Sequence, residues 1–439
     1  LCHQTSGQNT VAPVMVEGDG RYNNTLATAT GKTPFQPATQ AVYTIAENVT
    51  AGKKVVAVVC KNKLCKTADM LRSKGKLVTC PNHPGHCSAN LQPTDSIGDE
   101  ETWAREGFQS MFNEHPTLAI NYFTSDGDSR AFKGLSVAQE SSNSTIKPTY
   151  LRDTRHLTES VRRRAKTSGF SRHMFEGPTM ARRDKQQNQF ALEISRRCSA
   201  EFEACHVKYG GTDLPAMKKA MRGVPHCLIK CYQRDCSDCN QFSYVCGSKI
   251  TANKRWKKPY VPQNFQIDPT YADQKLLLSC MNLRLGPEAV ESTRLNTNTQ
   301  KSEAMNRAYS RSNPKIVTHS RNFMARINSA AHRVNAGIAG STMKQLRAAG
   351  VPLHRFSRAG RQLQQSENRD EYHSKRKKGD QYKQRRSSAR ARRYQSYFNK
   401  DEEVSHYSKG LVDESDHTYS RPGKAKTSCS PKKCRGRRH

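Results

Sequence analysis

The sequence predicts an α/β protein in which closely spaced strands precede a long helical region. Apolar, β-branched runs at residues 11–16, 53–60 and 118–123 have the length of buried strands and end in polar residues. Apolar residues recur at helical spacing over residues 100–115 and again over residues 299–335. We therefore expect helices to pack on a sheet formed mainly by the first part of the chain.

Taken in order, the chain divides into six segments. Residues 1–60 hold the first strands of the core, residues 61–99 a loop-rich Cys/His module, and residues 100–166 the second part of the core. Residues 167–290 form a helical Cys-rich insertion, residues 291–340 the final core helices, and residues 341–439 a basic, largely disordered tail. A fourth strand is expected at residues 146–151, before a basic helix at residues 156–166. Pro314 is expected to separate two of the final helices. The insertion is polar, and we expect metal rather than an apolar core to stabilise it.

The charge of the chain points to a polyanionic partner. Lys and Arg total 73 against 38 Asp and Glu, which gives a formal net charge of +35 at pH 7. Basic motifs at residues 375–378 and 385–393 are candidate nuclear import signals. The alternative is that they belong to a solvated tail. No apolar window is long enough to span a membrane, and no phosphate-binding loop of the Walker type occurs. We expect a soluble nuclear protein that binds nucleic acid and no nucleotide. The chain opens on Leu1 rather than Met, so we also expect further residues upstream.

Three acidic residues stand where a metal-dependent nuclease needs them. Asp19 and Asp126 each follow a predicted strand, and Glu303 lies on a predicted helix far along the chain. Cutting and joining phosphodiesters is commonly done by two Mg²⁺ ions, which carboxylates on rigid elements hold. An Asp-Gly pair is also a common turn, and Glu17 is a rival to Asp19.

Four short sequence motifs resemble those of one family of enzymes. They occur in one order at residues 19–24, 80–90, 125–132 and 298–306. Together they resemble the Mutator-like transposase domain of animal DNA transposons, a group that overlaps Kolobok, over roughly residues 11–340. The resemblance implies a ribonuclease-H-like mixed sheet interrupted by a helical insertion.

The resemblance also implies a function and a set of site residues. Asp19, Asp126 and Glu303 match the metal triad, which would use Mg²⁺ or Mn²⁺ to cut transposon ends and join them to target DNA. Double-stranded DNA is then the partner, and a homo-oligomer is expected because two ends are cut together. Such transposases commonly carry a Cys-X-X-His pair after the second aspartate. Here Asp153 and His156 replace it, either supporting the site or only packing.

Two clusters of Cys and His have the composition of structural Zn²⁺ sites. The first is expected to use Cys65, Cys80, His86 and Cys87, with His83 as a spare and Cys60 as a further candidate. The second draws on eight residues, namely Cys198, Cys205, His206, Cys227, Cys231, Cys236, Cys239 and Cys246. Within it, we expect Cys227, Cys231, Cys236 and Cys239 to form a site, with buried free thiols as the alternative. Cys429 and Cys434 could begin a truncated finger.

Two functions remain open from the sequence. One is an active transposase, and the other is a catalytically decayed, zinc-containing DNA-binding descendant. The second would bind DNA in a salt-sensitive way without nicking it. A basic packaging or RNA-binding protein would not explain aspartates at strand ends.

Overall fold

Five strands form one mixed sheet. The computed structural model describes residues 13–23, 38–246 and 266–393, except residues 82, 84, 128, 143, 176 and 391. The strands are β1 (Pro13–Tyr22), β2 (Gln40–Glu47), β3 (Val55–Asn62), β4 (Ala119–Ser125) and β5 (Thr149–Arg152). Their order across the sheet is β3-β2-β1-β4-β5. The β1–β2 and β2–β3 pairs are antiparallel, whereas β1–β4 and β4–β5 are parallel. The α/β prediction is confirmed.

Helices fill most of the remaining described chain. Their bounds are α1 (Lys66–Ser73), α2 (Glu100–Glu114), α3 (Arg130–Ser141), α4 (Thr154–Thr167), α5 (Met180–Tyr209), α6 (Leu214–Met221), α7 (Val224–Tyr232), α8 (Cys239–Phe242), α9 (Tyr271–Leu285), α10 (Pro287–Ser292), α11 (Gln300–Ser312), α12 (Phe323–Ala348) and α13 (Arg358–Lys378). The expected break at Pro314 falls between α11 and α12.

The sheet is covered by helices on both faces. Because successive residues of a strand point to opposite faces, β2 shows the division directly. Tyr43 and Ile45 pack in a core with α2 and α3. Val42 packs instead with residues of α11 and α12, and Thr44 Oγ1 donates to Tyr309 Oη on α11 at 3.3 Å. Helices α11 and α12 therefore lie on the face opposite α2 and α3.

The helical insertion has its own apolar core, contrary to expectation. Apolar side chains recur along α5 at helical spacing, and α7 and α9 add more, so that Phe190, Phe202, Leu228 and Leu277 are fully buried in one cluster. Val161 of α4 also belongs to this cluster, so the core includes residues before position 167, where the insertion is expected to begin. The sequence prediction missed the core because its contributions come from helices far apart in the chain.

The described part of the tail, which is expected to be largely disordered, is mostly helical. Residues 341–348 belong to α12, and α13 and residues 380–390 are helical. Arg, Gln, Glu and Lys are good helix formers, and Glu371 pairs with Lys375 at 2.9 Å one turn later. The chain divides into two units, Leu1–Arg355 and Phe356–His439. Cys429 and Cys434 lie outside the described residues. None of the described helices is both long and apolar enough to cross a bilayer.

Candidate active site and metal centres

Asp19 lies within β1, and Asp126 directly follows the adjacent parallel strand β4. In the register of β1 and β4, Glu17 is opposite Thr124. Asp19 is two residues beyond Glu17, and Asp126 is two residues beyond Thr124, just after β4 ends. The parallel β1–β4 pairing ends just before both residues, so the two carboxylates share the edge of the sheet where it ends. However, β1 itself continues past Asp19 to Tyr22, whereas the sequence predicts a strand that ends before Asp19.

Glu303 reaches this edge from α11. Residues 17, 19 and 21 alternate to the α11 face of β1, and Asn306 Nδ2 donates to Asp19 Oδ2 at 2.6 Å. Burial, followed by the negative charges of Asp126, Glu100 and Glu303, raises the pKa of Asp19 to about 7. The structure therefore brings Asp126 and Glu303 near Asp19, and the three expected carboxylates form one group.

Two side chains that the sequence did not single out, Glu100 and Asn306, also belong to this group. Glu100 begins α2, and its Oε1 accepts a hydrogen bond from Tyr22 Oη at 2.6 Å. Asn306 lies three residues after Glu303, which places both on one face of α11. The Oδ1 atom of Asn306 is buried and has no hydrogen-bond partner among the described residues. The helical spacing of Asn306 could have identified it, whereas no local pattern identifies Glu100.

The start of α11 is held by Asp153, which is completely buried. Its Oδ1 caps α4 by accepting from the backbone N–H groups of Arg155 (2.6 Å) and His156 (3.2 Å). Its Oδ2 accepts from the backbone N–H and Oγ1 of Thr299, the residue before α11, at 2.7 and 2.6 Å. One carboxylate therefore joins the first turns of two helices.

Glu17 holds the same turn of α11 from the sheet. Its side chain is fully buried, and Oε1 accepts from the backbone N–H and Oγ of Ser302 at 2.6 and 3.0 Å. Lys53 lies 3.4 Å from Oε2. Burial raises the pKa of Glu17, although the Ser302 and Lys53 interactions oppose that rise. Glu17, the rival to Asp19, therefore supports the residue before Glu303 instead of facing the carboxylate group.

Three basic side chains surround Glu303. The carboxylate lies 3.2 Å from Arg307, 3.5 Å from Arg155 and 3.7 Å from His156. Its side chain is only 26% exposed, whereas those of Arg155 and Arg307 are mostly exposed. Of the pair that replaces Cys-X-X-His, His156 thus contacts the site directly, while Asp153 acts on its backbone supports.

The structure groups His83, rather than His86, with the three cysteines of the first Cys/His cluster. Cys65, Cys80, His83 and Cys87 each offer a ligand atom, and these atoms lie within 4.8 Å of one another. His83 is buried, with Nε2 3.1 Å from Cys65 Sγ, whereas His86 is exposed. Burial alone would raise the pKa of Cys65, but its hydrogen bond with His83 lowers it to about 5. The expected preference for His86 is therefore corrected.

The cluster has the donor set and spacing that tetrahedral Zn²⁺ prefers. The paired Cys-X-X-His spacing could not separate the two histidines, because both follow Cys80 within one loop. Cys60, the further candidate, packs instead in the core beside α11 and α12.

Replacing His83 with Ala is expected to remove Zn²⁺ from this cluster, because three thiolates alone leave a ligand position open. The fold around Cys65 should lose thermal stability as a result. Elemental analysis and thermal denaturation of the purified protein measure both effects. The matched variant His86→Ala should keep the metal and the melting temperature. Equal loss of metal in the two variants would contradict this ligand set.

The second cluster contains Cys246 in place of Cys227. Ligand atoms of Cys231, Cys236, Cys239 and Cys246 lie within 4.8 Å of one another. Cys227 is buried beside them, with its Sγ 3.9 Å from Cys239 Sγ. The expected set Cys227, Cys231, Cys236 and Cys239 is therefore corrected at one position. Of the other candidates, Cys198 and Cys205 are buried in the apolar core of the insertion, as the free-thiol alternative describes.

A buried polar network places Cys246. Arg197 pairs with Glu201 at 3.0 Å inside α5, and Glu201 accepts from Ser243 Oγ at 2.7 Å. Ser243 Oγ in turn accepts from the backbone N–H of Cys246 at 2.7 Å. Hydrogen bonds from Cys231 and Cys239, followed by the positive charge of Arg197, lower the pKa of Cys246. A lowered thiol pKa favours the thiolate that a metal binds.

Replacing Cys246 with Ser is expected to reduce the zinc content by one ion, because the second site loses a thiolate. The control Cys227→Ser should leave the zinc content unchanged. Zinc released on titration of the thiols, followed with a colorimetric chelator, measures the content of each variant. If Cys227→Ser lost zinc while Cys246→Ser retained it, the result would instead support the ligand set expected from the sequence, which contains Cys227.

Comparison with known proteins identifies one family. The sequence model of the Mutator-like transposase family matches residues 1–246. The matched region includes Asp19, Asp126 and both Cys clusters, and it ends before Glu303. No curated protein matches the chain significantly, and neither does any solved structure.

Proposed function

The chain belongs to the Mutator-like transposase family, and from this premise we propose that it cuts DNA at transposon ends and joins those ends to target DNA. The observation that carries the proposal is the group of Asp19, Asp126, Glu100 and Glu303 at the edge of the sheet, in which the other three charges add to burial in raising the pKa of Asp19. Such a group is unfavourable unless cations neutralise it.

Divalent metal ions fit this group. Asp19, Asp126 and Glu303 would hold Mg²⁺ or Mn²⁺ through carboxylate oxygens, which are the ligands that these hard ions prefer. The buried, unpartnered Oδ1 of Asn306 is one more oxygen beside Asp19. When bound, the ions would activate the attacking oxygen and stabilise the leaving oxygen of a phosphodiester.

The other residues orient the carboxylates and the DNA. Asn306 fixes the Asp19 side chain through the hydrogen bond to Oδ2. Asp153 and Glu17 fix the backbone on either side of residue 300, so that Glu303 keeps one position on α11. Arg155 and Arg307 place positive charge beside Glu303, where phosphate groups of the substrate would arrive.

The family membership supports several wider proposals. A ribonuclease-H-like core accords with the mixed sheet, which carries one carboxylate within β1 and one directly after the adjacent parallel strand β4. A relation to the Kolobok elements of animals rests on the four sequence motifs alone. Double-stranded transposon ends and target would be the DNA substrates, a homo-oligomer would pair two ends, and the protein would act in the nucleus. Structural Zn²⁺ would occupy the two Cys clusters.

A plasmid assay tests the proposed function. Supercoiled plasmid serves as target, and a short duplex with a free 3′-hydroxyl serves as donor. With Mg²⁺ or Mn²⁺ we expect nicked plasmid and covalent joining of the donor, and with a chelator neither product. Salt-sensitive binding without nicking in either metal would instead support the alternative, a decayed zinc-containing DNA-binding protein.

A further inference from the structure

A groove of about 850 Å³ lies between the end of α11 and two arms of α12. The backbone of Gly337 (φ 76°, ψ 175°) is not helical, and it divides α12 into these arms. Gln345 on the second arm donates to Ser329 Oγ on the first at 3.0 Å. His332 and Ser341 form a second hydrogen bond between the arms, at 2.8 Å. The arms are therefore fixed against each other.

The groove is lined by basic and neutral polar side chains together with Ala325 and Ala348. Arg311, Arg326 and Lys344 supply positive charge, and no acidic residue is among the described residues that line it. Arg326 is held in place by Ser312 O and Asn322 Oδ1, both at 3.1 Å. Arg311 and Lys344 are exposed, and neither forms an ion pair within the described part of the chain. Their charges are thus available to an anion.

Helix α11 runs from the candidate active site to the groove. Glu303, Arg307 and Arg311 occupy successive turns of this helix, and Arg307 contacts Glu303 at 3.2 Å. Eight residues separate Glu303 from Arg311, a rise of about 12 Å along a helix. One strand of B-form DNA has a phosphate every ~3.4 Å along its axis, so the same length covers roughly three or four nucleotides.

We propose that this groove holds the phosphodiester backbone of the DNA strand that enters the active site, roughly three or four nucleotides from the bond that is cut. The position of the cut rests on the proposed function, whereas the binding of the backbone rests on the groove itself. Three cations with mostly polar neighbours, and no carboxylate among the described residues of the lining, suit a chain of phosphates of any base sequence.

The first test compares two double variants of equal charge. Arg311→Ala with Lys344→Ala removes two cations from the groove. Arg105→Ala with Lys133→Ala removes two exposed cations from α2 and α3, on the opposite face of the sheet. Binding of a short DNA duplex is measured over a salt series without divalent metal. The logarithm of the binding constant falls as the logarithm of the salt concentration rises. We expect the groove variant to make this slope shallower by about 2, and the control variant to leave it unchanged. Equal slopes in the two variants would overturn the proposal.

Photo-crosslinking provides a second test that does not depend on affinity. A benzophenone amino acid at Lys344 should form adducts with the labelled duplex, and the same group at Lys133 should not. Crosslinking at Lys133 alone would overturn the proposal. So would a groove variant that loses affinity for polyglutamate but not for DNA, because the groove would then fit an acidic protein.

Both measurements omit divalent metal, so an inactive chain can still bind through the groove. A chain that nicks plasmid but shows unaltered slopes would retain the proposed function and lose this inference.

Discussion

Replacing Asp126 with Asn is expected to lower metal-dependent strand cleavage and joining at least about a hundredfold, since even outer partners of a metal ligand commonly contribute that much. The amide keeps the shape of the carboxylate but removes its charge. Cleavage is measured with the plasmid assay in Mg²⁺ and in Mn²⁺. The folded protein should be as stable as the parent or more so without metal, because the charge of Asp126 is one cause of the raised pKa of Asp19.

The combination of lost activity and retained stability distinguishes an active-site role from a structural one. Glu140→Gln is a suitable control, because Glu140 is an exposed acid on α3, away from the carboxylate group. It should change neither activity nor melting temperature. Undiminished cleavage by Asp126→Asn would rule out the proposed carboxylate site, whatever the state of the fold.

Replacing Asp153 with Ala is expected to destabilise the protein by about 2–4 kcal/mol, because it removes the cap of α4 and leaves buried donors of Thr299 unpaired. Cleavage should also fall at temperatures where the variant is folded, since Glu303 follows Thr299 by one turn. Chemical denaturation gives the stability, and plasmid nicking over a Mg²⁺ series gives the activity. We expect a higher Mg²⁺ requirement, which general loss of stability would not produce.

Asp213 offers a matched control for this prediction. It caps α6 by accepting one hydrogen bond, from the backbone N–H of Ala216 at 3.0 Å, and it is exposed. Asp213→Ala should therefore cost only about 1 kcal/mol and should leave the Mg²⁺ requirement unchanged. If Asp153→Ala cost no more than Asp213→Ala, the connection between α4 and α11 would contribute little to the fold.

Local sequence pattern predicted that Asp126 follows a strand and that a strand leads to Asp19, because a strand and its following polar residue are neighbours in sequence. It did not show that β1 continues past Asp19 to Tyr22. Glu303 depended on resemblance, since nothing local relates a helix near residue 300 to a strand near residue 19. The partners of α11 were missed for the same reason. Glu17 and Ser302 are 285 residues apart, and Asp153 and Thr299 are 146 apart.

The choice between near neighbours in loops was also beyond the sequence. His83 and His86 have equivalent chemistry, and only the path of the loop makes one buried and the other exposed. Cys246, rather than Cys227, lies with the other three cysteines of the second cluster. A buried ion pair on α5, acting through Ser243, fixes the backbone N–H of Cys246. Composition likewise could not show that apolar residues scattered over α4, α5 and α9 meet in one core.

The contacts between β1 and α11 have a consequence for synthesis of the protein. Glu17, Asp19 and Arg21 all bind α11, although β1 leaves the ribosome some 285 residues earlier. A nascent chain therefore completes its sheet and insertion while the third carboxylate is still missing. Premature termination after the insertion would yield a protein with two acids and no partner helix, unable to assemble the proposed centre. Cutting competence would thus be reserved for chains that have been translated through α11.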